Sequence, residues 1–448
     1  MGHNVDEKLR RALLNRAIDR RQMLKGAGGA AAGLALAGAA GRARPASAAQ
    51  QEVSGPVTIE YWQYEFESKV DLVTELIPEF QEQNPDITVE QVNFPYDDFR
   101  QKVAAAVQAG EGPDVLNVYY GWLPVYVQQQ FLVPLPEEMF PVDQVEADFF
   151  PMVQTAKFDG AYYAMPTAVR TLAMFYNKDI LEAAGKEPPT TWDEFVDVAL
   201  ATTKRNGDEL EIAGATYEPG GQGHQWWREC LTRQNGVVPM SEDRRTLNWT
   251  DPLAVEAFAW YMALITEHNV TENGFYTDGA TAFQTGHAAL HIDGSFRLGA
   301  YATNAPDLNY GVAPLPEKKE QANFASFWAN TITRNAGEGD KLIAAARFIE
   351  FLASPDVMRR WTPAVGELPA RTEIAAEEEF ANEEKLAAFI EQLPYSYATF
   401  FVNESENRQA VMDAMDQVLL EGMDPETAVA DAEATVQQIL DQYWESQP

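Results

Sequence analysis

The sequence predicts an α/β protein whose domains the chain enters more than once. Short strand-like runs alternate with amphipathic helical stripes over the first part of the chain after residue 50, an order that builds a parallel sheet with right-handed crossovers. Apolar residues make up 46% and aromatic residues 11% of 448 positions, enough to bury a large core and to form two or three domains. No Gly/Ser-rich linker marks a boundary, so the domains are expected to be discontinuous and joined by short crossings.

Taken in order, Asp19-Arg20-Arg21-Gln22-Met23-Leu24-Lys25 precedes a run of Ala, Gly and Leu from Gly26 to Gly41 and then Ala46-Ser47-Ala48. Paired arginines, a weakly apolar stretch too short to span a bilayer and an Ala-x-Ala end predict a cleavable signal of twin-arginine type over residues 1–48. The mature chain is expected to start near Ala49 and to act outside the cytoplasm. Its only cysteine, Cys230, lies far from that end and excludes an internal disulfide framework.

Val57, Ile59 and Tyr61 alternate as on a strand, and Val70, Val73, Leu76, Ile77 and Phe80 then recur at helical spacing up to Asn84-Pro85. A second strand over 87–92, a helix with Tyr96, Phe99, Val103 and Val107 on one face, and a third strand over 114–118 after Gly112-Pro113 complete the alternation. Thr191 and Glu194 form a capping box, and Asp251-Pro252 and Ser354-Pro355 are helix starts with proline in the first turn. Residues 341–352 and most of 406–443 read as helical, the latter interrupted between Gly422 and Pro425.

Charge excludes some partners. Removing residues 1–48 takes nine of the 33 basic residues and three of the 68 acidic ones, leaving 24 against 65, a balance of −41. Such a surface repels phosphate backbones and anionic lipid, and it suits concentrated salt, where self-repulsion is screened.

Catalytic patterns are sparse. His287 and His291 are four apart, but Ala288 stands where a zincin needs glutamate, and Ala288-Ala289-Leu290 reads as a helix end running into a strand. No metal or cofactor is assigned. Gly220-Gly221-Gln222-Gly223 lacks the Lys-Ser/Thr end of a phosphate loop, and no Gly-x-Ser-x-Gly elbow is present. A pair of glycosidase carboxylates cannot be singled out among so many acids.

Aromatic residues beside turns are more telling. Tyr61 to Phe66 closes the first strand, Tyr119-Tyr120-Gly121-Trp122 the third, and Trp226-Trp227 and Phe327-Trp328 follow glycine or small-residue loops. At the carboxyl ends of strands in an open α/β sheet, aromatic faces can stack on a sugar while polar side chains grip its hydroxyls. Within each adjacent pair, one member is expected to pack inward.

On these and further landmarks the chain resembles the extracellular solute-binding proteins of the sugar-binding type (family 1, maltose-binding-protein-like), the ligand receptors of ABC importers. The landmarks run from Leu76-Ile77-Pro78-Glu79-Phe80 and Asn84-Pro85-Asp86-Ile87 through Gly112-Pro113-Asp114-Val115, Tyr163-Ala164-Met165-Pro166 and Phe175-Tyr176-Asn177-Lys178-Asp179. They continue with Pro188 to Phe195, Phe283 to Leu290, Gly311 to Pro316 and Phe351 to Pro355.

The resemblance implies a two-lobe, periplasmic-binding-protein-like (class II) fold with a multi-crossing hinge and a cleft that closes on the ligand. Crossings are expected near 167–171, 306–312 and 352–358. One lobe then comprises 53–168 and 309–355, the other 169–308 and 356–448. By position, the implied cleft residues are Tyr64, Glu65, Tyr119, Trp122, Arg170, Trp226, Trp227, Asp293, Ser295, Phe327, Trp328 and Glu367. Ser295-Phe296 stands where the family often has tryptophan after glycine, which leaves the stacking partner there open. The expected function is capture of a mono- or oligosaccharide by an exported monomer that delivers it to a membrane permease, without chemistry on the ligand. A secreted polysaccharide-acting enzyme, hydrolase or lyase, is the alternative, and an adhesive surface protein a third.

Overall fold

A computed structural model describes residues 52–446; the export segment expected at 1–48 lies outside them. Strand β1 (Val57–Tyr64), helix α1 (Glu67–Gln83), β2 (Ile87–Phe94), α2 (Tyr96–Ala109) and β3 (Val115–Tyr119) follow the predicted alternation. Strand β1 pairs in parallel with both β2 and β3, and α1 turns Leu72, Val73, Leu76, Ile77 and Phe80 into the core, the stripe its spacing requires.

Beyond this unit come β4 (Ala164–Asn177), α3 (Trp192–Thr202), β5 (Lys204–Asn206), β6 (Glu209–Ala215), α4 (Pro252–Thr266), β7 (Ala288–Gly294), β8 (Tyr310–Ala313) and β9 (Asn323–Thr333). Helices α5 (Gly339–Leu352), α6 (Pro355–Val365), α7 (Glu404–Glu421) and α8 (Pro425–Glu445) close the chain. The capping signals work as local chemistry demands. Thr191 accepts from the Glu194 amide at 3.2 Å, and Asp251 accepts from Leu253 at 2.9 Å. The Glu194 carboxylate accepts from the Thr190 amide at 2.8 Å and from its hydroxyl at 2.7 Å. Gly422 takes φ +70° and separates α7 from α8, a conformation glycine adopts without the steric cost of a Cβ.

The strands line up as β2-β1-β3-β9-β4-β7-β6-β5, with β8 also on β4. Strand β4 joins the two halves of this sheet. Its residues up to Thr171 pair with β9, and from Leu172 onward they pair with β7. One hydrophobic cluster gathers around β1 to β3, α1, α5 and α6 and runs on through Phe175 and Phe389. A second is built from α3, the segment Trp226–Leu231, α4, α7 and α8.

Strand β8 pairs with residues 174–177 of β4, so residues 310–313 belong to the second half of the sheet. Helix α6, expected in the second lobe, packs on α1, where Arg360 binds Glu79 at 2.7 Å. Leu368 and Pro369 then pair with Val169 and Ala168. Glu377 binds Arg359 of α6, and Glu384 binds Lys178. The apolar faces of α6 and of residues 368–375 are complementary to the first cluster, which Ser354-Pro355 as a local helix start could not reveal.

Candidate functional site

Strands β1 and β3 are parallel neighbours, so both carboxyl ends open on the same edge. Tyr64 ends β1 and Tyr119 ends β3, while β9 runs antiparallel and sets Trp328 opposite Tyr119. The Tyr64 and Trp328 rings lie 4.3 Å apart, Tyr119 is 5.9 Å from Trp328, and Tyr96, at the start of α2, is 5.7 Å from Tyr64. These four rings form one wall of a cavity of about 360 Å³, at the lower end of the range for small-molecule sites.

Strand alternation chooses which side chains of β9 reach this wall. Phe324, Ser326 and Trp328 line the cavity, two residues apart and therefore on one face. Phe327 points the other way, fully buried and stacked on Tyr120 at 4.9 Å. Across the cavity stand Gly294, Phe296, His224, Gln225 and the loop Gly220–Gln222, with Glu404 and Arg408 of α7 at one side. The Phe296 ring packs over Gly294, and a Cβ there would displace it.

Arg170, on β4 where the sheet halves meet, is the electrostatic centre. Its Nε donates to Glu367 at 2.6 Å and its Nη2 to the Tyr64 hydroxyl at 3.2 Å, and its guanidinium lies 5.2 Å from the Phe296 ring centre. Burial alone would raise the Glu367 carboxyl, but the charges of Arg170 and Lys69 and a hydrogen bond from Trp361 hold it below its ordinary value. Lys69 sits 4.9 Å from the Tyr64 ring centre and donates to Asn117 at 3.1 Å. Burial pulls its ammonium down to about 8, against the opposing pull of Glu367. Burial also pushes His224 far below its usual value, and the charges of Arg228 and Arg408 act in the same direction, so it faces the cavity as a neutral ring.

Of the twelve predicted residues, Tyr64, Tyr119, Arg170 and Trp328 line this cavity. Glu367 stands behind Arg170 as its buried partner. Trp122 packs edge-on to Trp328 at 5.5 Å and lines an adjoining groove of about 950 Å³ with Arg100 and Tyr126. Glu65 is solvent-exposed and lines neither. Asp293 is buried beneath the site, accepting from the Gly294 amide and from Arg297, and Ser295 is fully buried.

Trp226 and Trp227 are core residues, correcting the expectation that one of them faces the cleft. Trp226 meets Tyr261 at 5.2 Å and Trp227 meets Phe258 at 4.6 Å. On a helical segment wrapped by α4 both neighbours can be covered, whereas a strand turns one of two outward. The histidine pair separates for the same kind of reason. His291, inside β7, contacts Thr216 at 2.8 Å and Asp293 at 3.2 Å, and His287 contacts Thr285 at 3.1 Å.

Tyr96, His224, Gln225, Phe296, Ser326, Glu404 and Arg408 also line the cavity without being among the residues the resemblance implied, and Phe66 lines it from the end of the aromatic run that the sequence singles out. Tyr96 opens its helix, and its spacing places it on the apolar stripe; Phe296 stands out in the sequence only as a departure from the family pattern. Among the described residues, Glu404 is the only carboxylate lining the cavity, and it lies 3.8 Å from Arg408. The cavity can stack, donate and accept, the repertoire of a binding site for a polyhydroxylated molecule.

Comparison with known proteins bears on the family and the fold. Residues 65–359 match the pattern of the family described as bacterial extracellular solute-binding protein. A putative binding protein of Brucella abortus (strain 2308) is 27% identical over 373 residues, 81% of this chain and 88% of that protein. The maltotriose-binding protein of Pyrococcus abyssi is 24% identical over 350 residues, 77% of this chain and 73% of its own length. The cyclic alpha-maltosyl-1,6-maltose binding protein from Arthrobacter globiformis shares the fold with a TM-score of 0.77 at 22% identity, covering 87% of this chain and 100% of that one. The sugar-binding protein MalE from Xanthomonas citri does so with 0.76 at 24% identity, covering 88% and 100%.

Proposed function

Because the chain belongs to the bacterial extracellular solute-binding protein family, we propose that it captures a carbohydrate in the cavity between its two lobes and hands it unaltered to the permease of an ABC importer. The observation that carries this reading is the wall of Tyr64, Tyr96, Tyr119 and Trp328 facing Phe296 and the polar groups of Gln225, His224 and Arg408. Stacking on one lobe and hydrogen bonds from the other are both made only in the closed form, so the ligand draws the population toward closure. The lobes divide within β4 after Thr171, between Ala313 and β9, and between Glu377 and Glu384. Maltotriose, arabinooligosaccharides and sn-glycerol 3-phosphate are the solutes named for relatives and form the natural test panel.

The protein is exported by the twin-arginine route, is cleaved near Ala49 and works as a monomer. A thermal-shift screen of the mature protein against maltose, maltotriose, arabinooligosaccharides and glycerol 3-phosphate should give a saturable rise in melting temperature with a sugar, and chromatography should recover that sugar intact. Conversion of the sugar into another product, or no shift across a wider carbohydrate panel, would reject the reading.

A further inference from the structure

The segment Trp226–Leu231 borders a second cavity, of about 150 Å³, whose walls include Arg228, Glu229, Arg233, Arg244, Thr399 and Asn407. The side chain of Arg228 is 1% exposed. Its Nε donates to Glu229 at 3.1 Å and its Nη2 to Gln225 at 2.6 Å, but its Nη1 has no hydrogen-bond partner. The other oxygen of Glu229 faces the Arg233 Nε at 3.7 Å, beyond hydrogen-bond reach. Both atoms are buried and, though they form an ion pair, neither has a hydrogen-bond partner, and the same holds for the Thr399 hydroxyl and the Asn407 amide oxygen.

The Arg228 guanidinium lies 4.8 Å from the Phe401 ring centre, which offsets part of its desolvation, but a buried N–H group without an acceptor remains costly. Charge around this cavity makes that more pointed. Three guanidiniums line it against Glu229 and the exposed Glu242, a local positive excess in a chain of net charge −35. Arg244 lies over Phe400, 5.0 Å from the ring centre, and burial lowers its pKa from the ordinary value. The volume equals that of roughly five water molecules at about 30 Å³ each, which suits a small ion and not a sugar chain.

We propose that this cavity is a binding site for a small oxyanion, held by Arg228, Arg233 and Arg244, with Thr399 donating and the Asn407 amide turned to donate as well. Guanidinium N–H groups are matched to the oxygens of phosphate, sulfate and carboxylate alike, so the shared chemistry is an anion with two or more accepting oxygens. The site is separate from the aromatic cavity and stands whether or not that cavity takes a sugar.

The test is isothermal titration of the mature protein, dialysed into Tris chloride, with inorganic phosphate, sulfate and lactate in turn at constant ionic strength. Saturable one-to-one binding of at least one is expected, with phosphate and sulfate separating a mineral oxyanion from the carboxylate of lactate. Arg228 is left untouched because it also holds Gln225 of the main cavity. Arg233→Gln or Arg244→Gln should weaken the binding about 10- to 100-fold, as expected for loss of a charge-assisted hydrogen bond. Arg244 is only half-buried, so its variant keeps the test open if Arg233→Gln fails to fold. No saturable binding of any of the three anions at millimolar concentration, or binding unchanged in both folded variants, would overturn the proposal.

Discussion

Phe327 and Trp328 are adjacent in sequence and opposite in role, which makes them a matched pair of probes. Trp328 packs among Tyr64, Tyr96, Tyr119 and Trp122 at 4.3 to 6.3 Å on the cavity side, and Phe327 stacks on Tyr120 in the core. Each ring carries roughly 150–250 Å² of surface, which at about 25 cal/mol/Å² corresponds to about 4–6 kcal/mol as an upper bound. Truncation of buried Phe or Trp to Ala costs about 3–5 kcal/mol in practice. Both Phe327→Ala and Trp328→Ala should therefore lower the stability measured by urea denaturation to a similar degree. Only Trp328→Ala should also weaken the sugar that gives the largest thermal shift, by about 1–3 kcal/mol or ~5- to 150-fold in Kd, the loss expected for an aromatic anchor. The assay is isothermal titration on the folded fraction, with Leu replacing Ala if either variant does not fold. Equal loss of affinity in both variants, or unchanged affinity in Trp328→Ala, would refute the assignment of faces on β9.

Glu367→Gln removes the charge that Arg170 and Lys69 share, and breaking a buried pair in this way should cost about 3–5 kcal/mol; adding Lys69→Met should recover part of it, so additive losses in urea melts would contradict the network. Burial holds Lys69 at about 8 against an ordinary 10.5, so between these values the unfolded chain binds the extra proton and stability rises with pH, by roughly 3 kcal/mol over the full interval. Buried tyrosines with raised pKa act oppositely above about pH 10, so the comparison is with Lys69→Met: wild-type stability minus variant stability should climb from about pH 8 to about pH 10, and a flat difference would count against a buried, depressed Lys69. Finally, self-repulsion of the acidic chain is screened by salt, so the unfolding midpoint should rise from low to molar NaCl; a fall would contradict a salt-adapted surface.

Local chemistry was readable wherever one segment decides its own structure. The alternation of β1, the stripe of α1, the Thr191 and Asp251 caps and the break at Gly422 all appear at the predicted places. Tyr64 and Tyr119 end their strands, Arg170 lies at the sheet junction and Trp328 stands in mid-β9 opposite Tyr119, positions that the resemblance could place. The adjacent tryptophans at 226 and 227 misled because pairing of aromatic letters does not say whether the segment is strand or helix. Phe296, His224 and Arg408 come from three distant segments, and nothing local distinguishes them from other surface or core residues.

By itself, then, the sequence determined the α/β class, the order of the N-terminal elements and the chemical type of the site, since periodicity, capping and turn residues act over a few neighbours. The tertiary structure alone decided that α6 packs on α1, that Glu367 pairs with Arg170 across 197 positions of chain, and that Arg228 is left with an unpartnered edge beside Arg233 and Arg244. These depend on which apolar faces and charges meet once the sheet is assembled, a matter of long-range packing that no short window of residues contains.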